Sequence, residues 1–233
     1  MRDLPEGDVH VWSIRLDGSE DRVRRLARVL ARDEMDRANR FRFDVHRHRF
    51  IAGRAAMRHL LAEYVGVAPE ALRFHYGHRG KPDLPDFPWL HFNLSHSEER
   101  GLLGITRIAP VGIDIEHLRS MPDLMDIAER FFARGEVERL SRQPSSEHEP
   151  CFFRCWTRKE AYLKAIGEGL AVPLNRFEVT HEPDREPEFL EFRDPDETPE
   201  AWSLHHLDPE PGYFGAVALR ASPDAVRLER WDG

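Results

Sequence analysis

The chain of 233 residues carries 34 basic and 42 acidic side chains, a formal charge of −8, with 40% apolar and 33% charged residues. That balance supplies a core and a solvated surface, which excludes a disordered or membrane-embedded chain and leaves room for one large or two small domains. Of the basic residues 31 are arginine and only three are lysine, Lys81, Lys159 and Lys164.

The N-terminal residues Met1 to Glu6 have no apolar segment of a secretion signal, and no run approaches the ~18 residues of a spanning helix, so a cytoplasmic protein is expected. Val9, Val11, Trp12, Ile14 and Leu16 predict an opening strand, closed by Asp17-Gly18, with Ser19 placed to cap a helix through Val23, Leu26 and Leu30. A helix containing Phe50, Arg54, Met57, Leu61 and Tyr64 stops at Gly66. Leu90, Phe92 and Leu94 alternate with His91, Asn93 and Ser95, and strands at 101–108 and 111–116 break at Pro110. Beyond this, Leu124, Ile127, Ala128 and Phe131 share a helical face, a polar loop runs from Ser141 to Pro150, and a helix from about Pro150 to Ile166 ends at Gly167. Five strands follow, at 176–182, 188–193, 201–207, 213–220 and 225–231. The pattern is α+β, with helices on mostly antiparallel sheets in two similar-sized halves, 1–109 and 110–233, and a cleft between them. Cys151 and Cys155, four apart on the helix, read as buried inert thiols.

Charge is unevenly spread. Residues 22–58 hold 12 arginines against four acids, a stretch where an anion could dock or a solvated helix face could lie, whereas 178–210 hold 12 acids against two arginines. A nucleic-acid binder, positive over a whole face, does not fit.

Three constellations could carry chemistry. In Val111-Gly112-Ile113-Asp114-Ile115-Glu116 the pleat sends the three apolar side chains to the core and both acids to the other face, where Gly112 leaves space. Paired carboxylates suit a hard divalent cation, although an isolated D-x-E is also an ordinary strand edge. In Trp156-Thr157-Arg158-Lys159-Glu160-Ala161-Tyr162-Leu163-Lys164, Glu160 and Lys164 are an i,i+4 pair, which alone reads as a surface ion pair, but two of the three lysines fall here. Arg79-Gly80-Lys81-Pro82 and Phe92-Asn93-Leu94-Ser95-His96-Ser97 offer hydroxyl, imidazole and ammonium groups for a phosphate. The run His46 to Arg49 lacks the spacing of a zinc site.

Taken in order, Gly80-Lys81-Pro82, His91 to Ser97, Gly112 to Glu116, Phe131-Phe132, and Trp156-x-x-Lys159-Glu160-Ala161-x-x-Lys164-x-x-Gly167-x-Gly169-Leu170 resemble the surfactin-synthetase-activating type of 4′-phosphopantetheinyl transferase, from about Arg37 to Ala218. The resemblance implies two halves related by a pseudo-twofold axis, with the active site at their junction. It also implies transfer of the phosphopantetheine arm of coenzyme A to a serine of an apo acyl or peptidyl carrier protein, releasing adenosine 3′,5′-bisphosphate. On the matching motifs Asp114, Glu116 and Glu160 would hold Mg²⁺, with Mn²⁺ able to substitute, and Glu160 would be general base directly or through water. Lys159 and Lys164 would contact phosphates, Lys164 stabilising the phosphoryl or leaving group. Ser95 and His96 would bind the nucleotide phosphates and Gly80, Lys81 and Pro82 the adenine side. Arg49 matches a phosphate-binding arginine by its spacing to Gly53 and Arg58, Arg47 competes for that role, and Arg54 completes the cofactor-side set. Carriers are acidic around the modified serine, so a positive or apolar docking surface is expected near the cleft. A monomer without nucleic-acid or membrane partners is expected. The alternatives are a non-catalytic module binding coenzyme A or a carrier, and a metal-dependent nucleotide pyrophosphate hydrolase.

Overall fold

A computed structural model describes residues 1–77 and 79–233, with Leu170 of the last motif described by its backbone alone. The first half runs β1 (Asp8–Arg15), α1 (Glu20–Leu26), α2 (Arg32–Ala38), α3 (Asp44–Val65), the short hairpin β2 (His75–Tyr76) and β3 (Pro82–Asp83), then β4 (His91–Ser97) and β5 (Arg100–Thr106). Ser19 caps α1, its Oγ accepting from the Arg22 N–H at 3.3 Å, as the sequence predicts. α3 begins at Asp44, six residues before the first apolar residue that announces it, and ends at Gly66 with φ +74°, a left-handed cap that glycine takes without strain.

The second half contains β6 (Val111–His117), α4 (Leu124–Phe131), α5 (Arg134–Ser141) and α6 (His148–Ile166), then β7 (Phe177–Val179), β8 (Phe189–Phe192), β9 (Ser203–Leu207), β10 (Tyr213–Leu219) and β11 (Ala225–Trp231). One sheet has the order β11-β1-β5-β4 and a second β6-β10-β9, with β2-β3 and β7-β8 as separate hairpins. All ladders are antiparallel except β1 with β11. The division at residue 109 therefore does not separate the two sheets completely, because the last strand returns to the first sheet beside β1 and Arg227 reaches Asp8 at 2.7 Å. Punctuation along a chain marks where one unit stops, but a parallel pairing across more than 200 residues leaves no local signal.

The molecule is an α+β structure of four layers. α3 packs Ala52, Ala55, Ala56 and Leu60 against Trp12, Ile14, Leu103 and Ile105 on the outer face of the first sheet. α6 packs Phe152, Ala161 and Leu163 with Ala216 and Ala218 on the outer face of the second. Between the sheets, Val9, Val11 and Leu102 meet Val111, Ile113, Ile115 and Val217 in a third core. Alternation along β1, β5 and β10 is what serves two cores from single strands. Among the described residues no helix is long and apolar enough to cross a membrane. Cys151 and Cys155 are free and buried, and burial raises both thiols above their ordinary range.

Candidate active site

The sheets meet at the edge strands β4 and β6, and the seam is made by side chains instead of a backbone ladder. Asn93 accepts the Ile113 N–H at 2.9 Å, Ser95 Oγ donates to Asp114 Oδ1 at 2.9 Å, and Ser97 Oγ donates to Glu116 Oε2 at 2.9 Å while accepting the His117 N–H at 3.2 Å. Every second residue of β4 thus holds β6, and the two acids of β6 stand at the seam. Asn93 and Ser97 join Ser95 in binding β4 to β6, a role that reading β4 for phosphate ligands alone misses; their alternation with Ser95 along the strand is the signal for it.

Gly112 brings the second element in. A Cβ at this position would lie 1.9 Å from the Ala161 carbonyl oxygen and 2.2 Å from the Ala165 nitrogen, so the α6 backbone rests directly on β6. The space glycine was expected to leave is filled by the helix. This close approach carries Glu160 and Lys164, one turn apart, over Asp114 and Glu116. Lys164 Nζ lies 2.5 Å from Asp114 Oδ1 and 2.8 Å from Ser95 Oγ. Arg119 contacts Glu116 at 3.3 Å.

These groups line a cavity of about 660 Å³, walled by Arg130, Phe131 and Trp156 on one side and Val172 to Asn175 on the other. Two carboxylate oxygens in it, Asp114 Oδ2 and Glu160 Oε1, are buried without a hydrogen-bond partner among the described residues. Burial, reinforced by the Asp114 charge, raises the Glu160 carboxyl above its ordinary range, and burial with the nearby Lys164 lowers His96. Orphaned anionic oxygens converging on one cavity fit a cation. Among the described residues no three His, Cys, Asp or Glu side chains are gathered as a finished metal cage, and Asp114 is engaged by the Lys164 ammonium.

Two smaller cavities adjoin the central one. Gly80, Lys81 and Pro82 line a cavity of about 250 Å³ that shares Lys164 with it, and Arg49 lines one of about 230 Å³ that shares His96. Gly80 has φ +78°, a left-handed turn that brings the β2–β3 connection toward α6. Arg49 is held by Asp17 at 2.8 Å and Glu98 at 2.9 Å, and these bonds raise its basicity further.

Several expected residues stand elsewhere. Lys159, expected on a phosphate, has no exposed surface: its ammonium donates to the Leu174 and Phe177 carbonyls at 2.8 and 2.6 Å and pairs with Glu136 at 2.8 Å. Adjacent helical residues are about 100° apart, so if Glu160 faces the cavity its neighbour faces the core. Arg54 is likewise buried, against the Tyr76 hydroxyl and 3.4 Å from Glu34. Arg47 pairs with Asp44 at 3.0 Å and lines a separate cavity between α1, α2 and α3. The Lys81 ammonium donates to the carbonyls of Val111 at 3.2 Å and Lys164 at 2.5 Å, tying the β2–β3 hairpin to β6 and the end of α6; only its stem is left to line the cavity. Of the three lysines, Lys164 alone presents its ammonium to the central cavity.

A four-layered α+β enzyme with an acidic, cation-fitting seam is the class this geometry defines. Residues 110–218 match the family model of the 4′-phosphopantetheinyl transferase superfamily, and residues 16–103 match that of the 4′-phosphopantetheinyl transferase N-terminal region. The chain is 44% identical over 219 residues to the 4′-phosphopantetheinyl transferase HetI of Nostoc sp., covering 93% of this chain and 89% of the relative. It is 33% identical over 225 residues to psf-1 of Bacillus pumilus, covering 94% and 93%, and 30% identical over 209 residues to Sfp of Bacillus subtilis, covering 88% of each; both are 4′-phosphopantetheinyl transferases. The chain belongs to the 4′-phosphopantetheinyl transferase superfamily, and its activity is transfer of the 4′-phosphopantetheine group of coenzyme A to a carrier protein.

Proposed function

We propose that the seam between β4, β6 and α6 performs this transfer on a serine of an apo acyl or peptidyl carrier protein, with Asp114, Glu116 and Glu160 holding Mg²⁺, or Mn²⁺ in its place. The observation that carries the reading is the pair of partnerless buried oxygens, Asp114 Oδ2 and Glu160 Oε1, facing one cavity beside the Lys164 ammonium. When bound, the divalent cation would offset the charge that develops on pyrophosphate oxygens as the phosphorus–oxygen bond breaks.

The chain's own groups supply the rest. Glu160, whose carboxyl is raised by burial and by Asp114, takes the proton of the acceptor serine hydroxyl as its oxygen attacks the β-phosphorus. Lys164, released from Asp114, donates to the phosphoryl or leaving oxygens as adenosine 3′,5′-bisphosphate departs. Ser95 and His96 at the cavity wall hold the phosphates, Gly80, the Lys81 stem and Pro82 flank the adenine, and Arg49 serves the remaining nucleotide phosphate from the adjoining cavity. A helix-on-sheet layer in each half, with the site between, supports the pseudo-twofold arrangement and a monomer that completes its own site.

The test is the mass of an apo carrier protein after incubation with the chain, coenzyme A and Mg²⁺. A gain of one phosphopantetheine group is expected. No gain with several carriers would overturn the reading. Release of adenosine 3′,5′-bisphosphate without a carrier would favour a hydrolase.

A further inference from the structure

The two acids of β6 are held in the same way. Asp114 Oδ1 takes the Ser95 hydroxyl at 2.9 Å and the Lys164 ammonium at 2.5 Å, and Oδ2 is left without a partner among the described residues. Two residues further along both strands, Glu116 Oε2 takes the Ser97 hydroxyl at 2.9 Å and an Arg119 guanidinium nitrogen at 3.3 Å, and among the described residues nothing donates to Oε1. Each carboxylate therefore has one oxygen engaged by a serine of β4 and a cationic side chain, and one oxygen free. Neither Ser97 nor Arg119 has a part in the proposed proton and phosphoryl steps.

Glu116 is the acid that needs such a hold. Its side chain is 24% exposed against 5% for Asp114, and a glutamate has one more rotatable bond to order. Repulsion from Asp114 and Glu160 would turn it toward water. Ser97 opposes that because its hydroxyl is itself fixed: the oxygen accepts the His117 N–H at 3.2 Å, and its single proton is directed to Glu116. Arg119 is anchored too, donating to the His117 carbonyl at 3.3 Å and lying 5.0 Å from the Phe153 ring centre.

We infer that Ser97 is a positioning residue for the transfer: with Arg119 it holds Glu116 Oε2 at the seam, so that Oε1 is presented to the divalent cation in the central cavity. This rests on the proposed assignment of Asp114, Glu116 and Glu160 as the cation's ligands. A carboxylate whose second oxygen is already hydrogen-bonded meets the cation with its orientation set, and losing such an outer partner lowers metal affinity by about 10–100-fold. Ser97 borders the cavity of Arg49 but not the central one, so its effect falls on cation binding and not on the chemical step.

The experiment measures Mn²⁺ binding at saturating coenzyme A, by the paramagnetic resonance signal of the free ion, together with Mg²⁺ titrations of transfer, for the wild-type chain, Ser97→Ala, Ser97→Thr and Arg119→Gln. Circular dichroism checks the fold of each. Ser97→Ala is expected to weaken Mn²⁺ binding about tenfold and to raise the half-saturating Mg²⁺ concentration equally, while kcat at saturating Mg²⁺ stays within about threefold. Ser97→Thr, which keeps the hydroxyl and suits a strand, is expected to bring both back to within about threefold of wild type. Arg119→Gln is expected to weaken Mn²⁺ binding several-fold, although removal of a positive charge alone would strengthen it, and this exposed position reports the same hold if Ser97→Ala does not fold. Unchanged Mn²⁺ affinity in Ser97→Ala, or an equal loss in Ser97→Thr, overturns the positioning role and leaves the transfer reading standing. Tighter binding in Arg119→Gln overturns the share given to Arg119. A loss of kcat that saturating Mg²⁺ does not recover, or a rise confined to the coenzyme A KM, also overturns the role, reassigning Ser97 to a phosphate. A wild-type chain that binds no Mn²⁺ removes the metal assignment and this inference together.

Discussion

The ammonium of Lys159 lies 2.8 Å from the Glu136 carboxylate with neither side chain exposed to solvent, while the next residue on α6, Glu160, faces the cavity. Glu136 also accepts the N–H groups of Ala133 and Val179 at 2.8 Å each, so this pair joins α5, α6 and β7 behind the cavity-lining face of α6. Lys159→Met strands a buried carboxylate and is expected to lower the stability by about 3–5 kcal/mol, measured by denaturant unfolding. Adding Glu136→Gln restores part of that loss by removing the stranded charge. A loss below ~1 kcal/mol for the single variant would show the pair to be dispensable.

Glu160→Gln removes the proposed base and an anionic oxygen while keeping the side chain's shape, and Asp114→Asn keeps an acceptor for Ser95. Each is expected to lower kcat by about 10²–10⁴. Asp114 is only 4% exposed and bonded to Ser95 and Lys164, so its variant also shifts the melting temperature, whereas Glu160→Gln does not lower it. Carrier modification followed by mass, with melting curves in parallel, checks both. Turnover near wild type in either variant would remove that residue from the mechanism.

Lys164→Arg preserves charge but replaces a compact ammonium that reaches both Asp114 and Ser95 with a planar fork. A loss of at least about tenfold in kcat is expected. Full activity would mean that any cation suffices there.

Gly112→Ala places a methyl group against the α6 backbone, which no side-chain rotation relieves. The expected destabilisation is about 3 kcal/mol, with transfer lost beyond what stability explains because Glu160 and Lys164 are lifted from Asp114. Gly104→Ala on β5 is the control: its Cβ would meet nothing nearer than 3.5 Å, and a change within about 1 kcal/mol is expected. Equal effects at the two positions would refute the close approach as the cause.

His181 is 1% exposed, its Nδ1 lies 4.0 Å from Glu182 Oε2, and burial lowers its pKa from 6.5 to about 4 despite that neighbouring carboxylate. Between pH 4 and 6.5 the unfolded chain binds the extra proton, so stability associated with this residue is complete above pH 6.5 and is lost as pH falls toward 4. His181→Leu is expected to flatten the pH dependence of unfolding in that window, by up to about 1.4 kcal/mol per pH unit. An identical slope in both proteins would show His181 to be protonated already.

Local elements and chemistry-bearing motifs were legible in the order of the residues alone. The cap at Ser19, the glycine ends of α3 and α6, and the alternation that sends Ile113 and Ile115 inward with Asp114 outward follow from backbone geometry and period. The motifs of β4, β6 and α6 identified the family because their residue types and order are specific even though each is weak alone. Tertiary structure decided which members of those motifs meet. Lys159 and Glu160 are neighbours in one motif, yet the packing of α6 turns one to the core and the other to the cavity. Lys81 resembles a ligand lysine in sequence, but the approach of the β2–β3 hairpin to α6 gives its ammonium backbone carbonyls. The return of β11 to β1 depends on hydrogen bonds between segments about 220 residues apart, which no local pattern encodes. The three lysines that composition made conspicuous therefore divide into one buried against Glu136, one that staples the hairpin and one that faces the cavity, because a residue's type is local while its partners are set by packing.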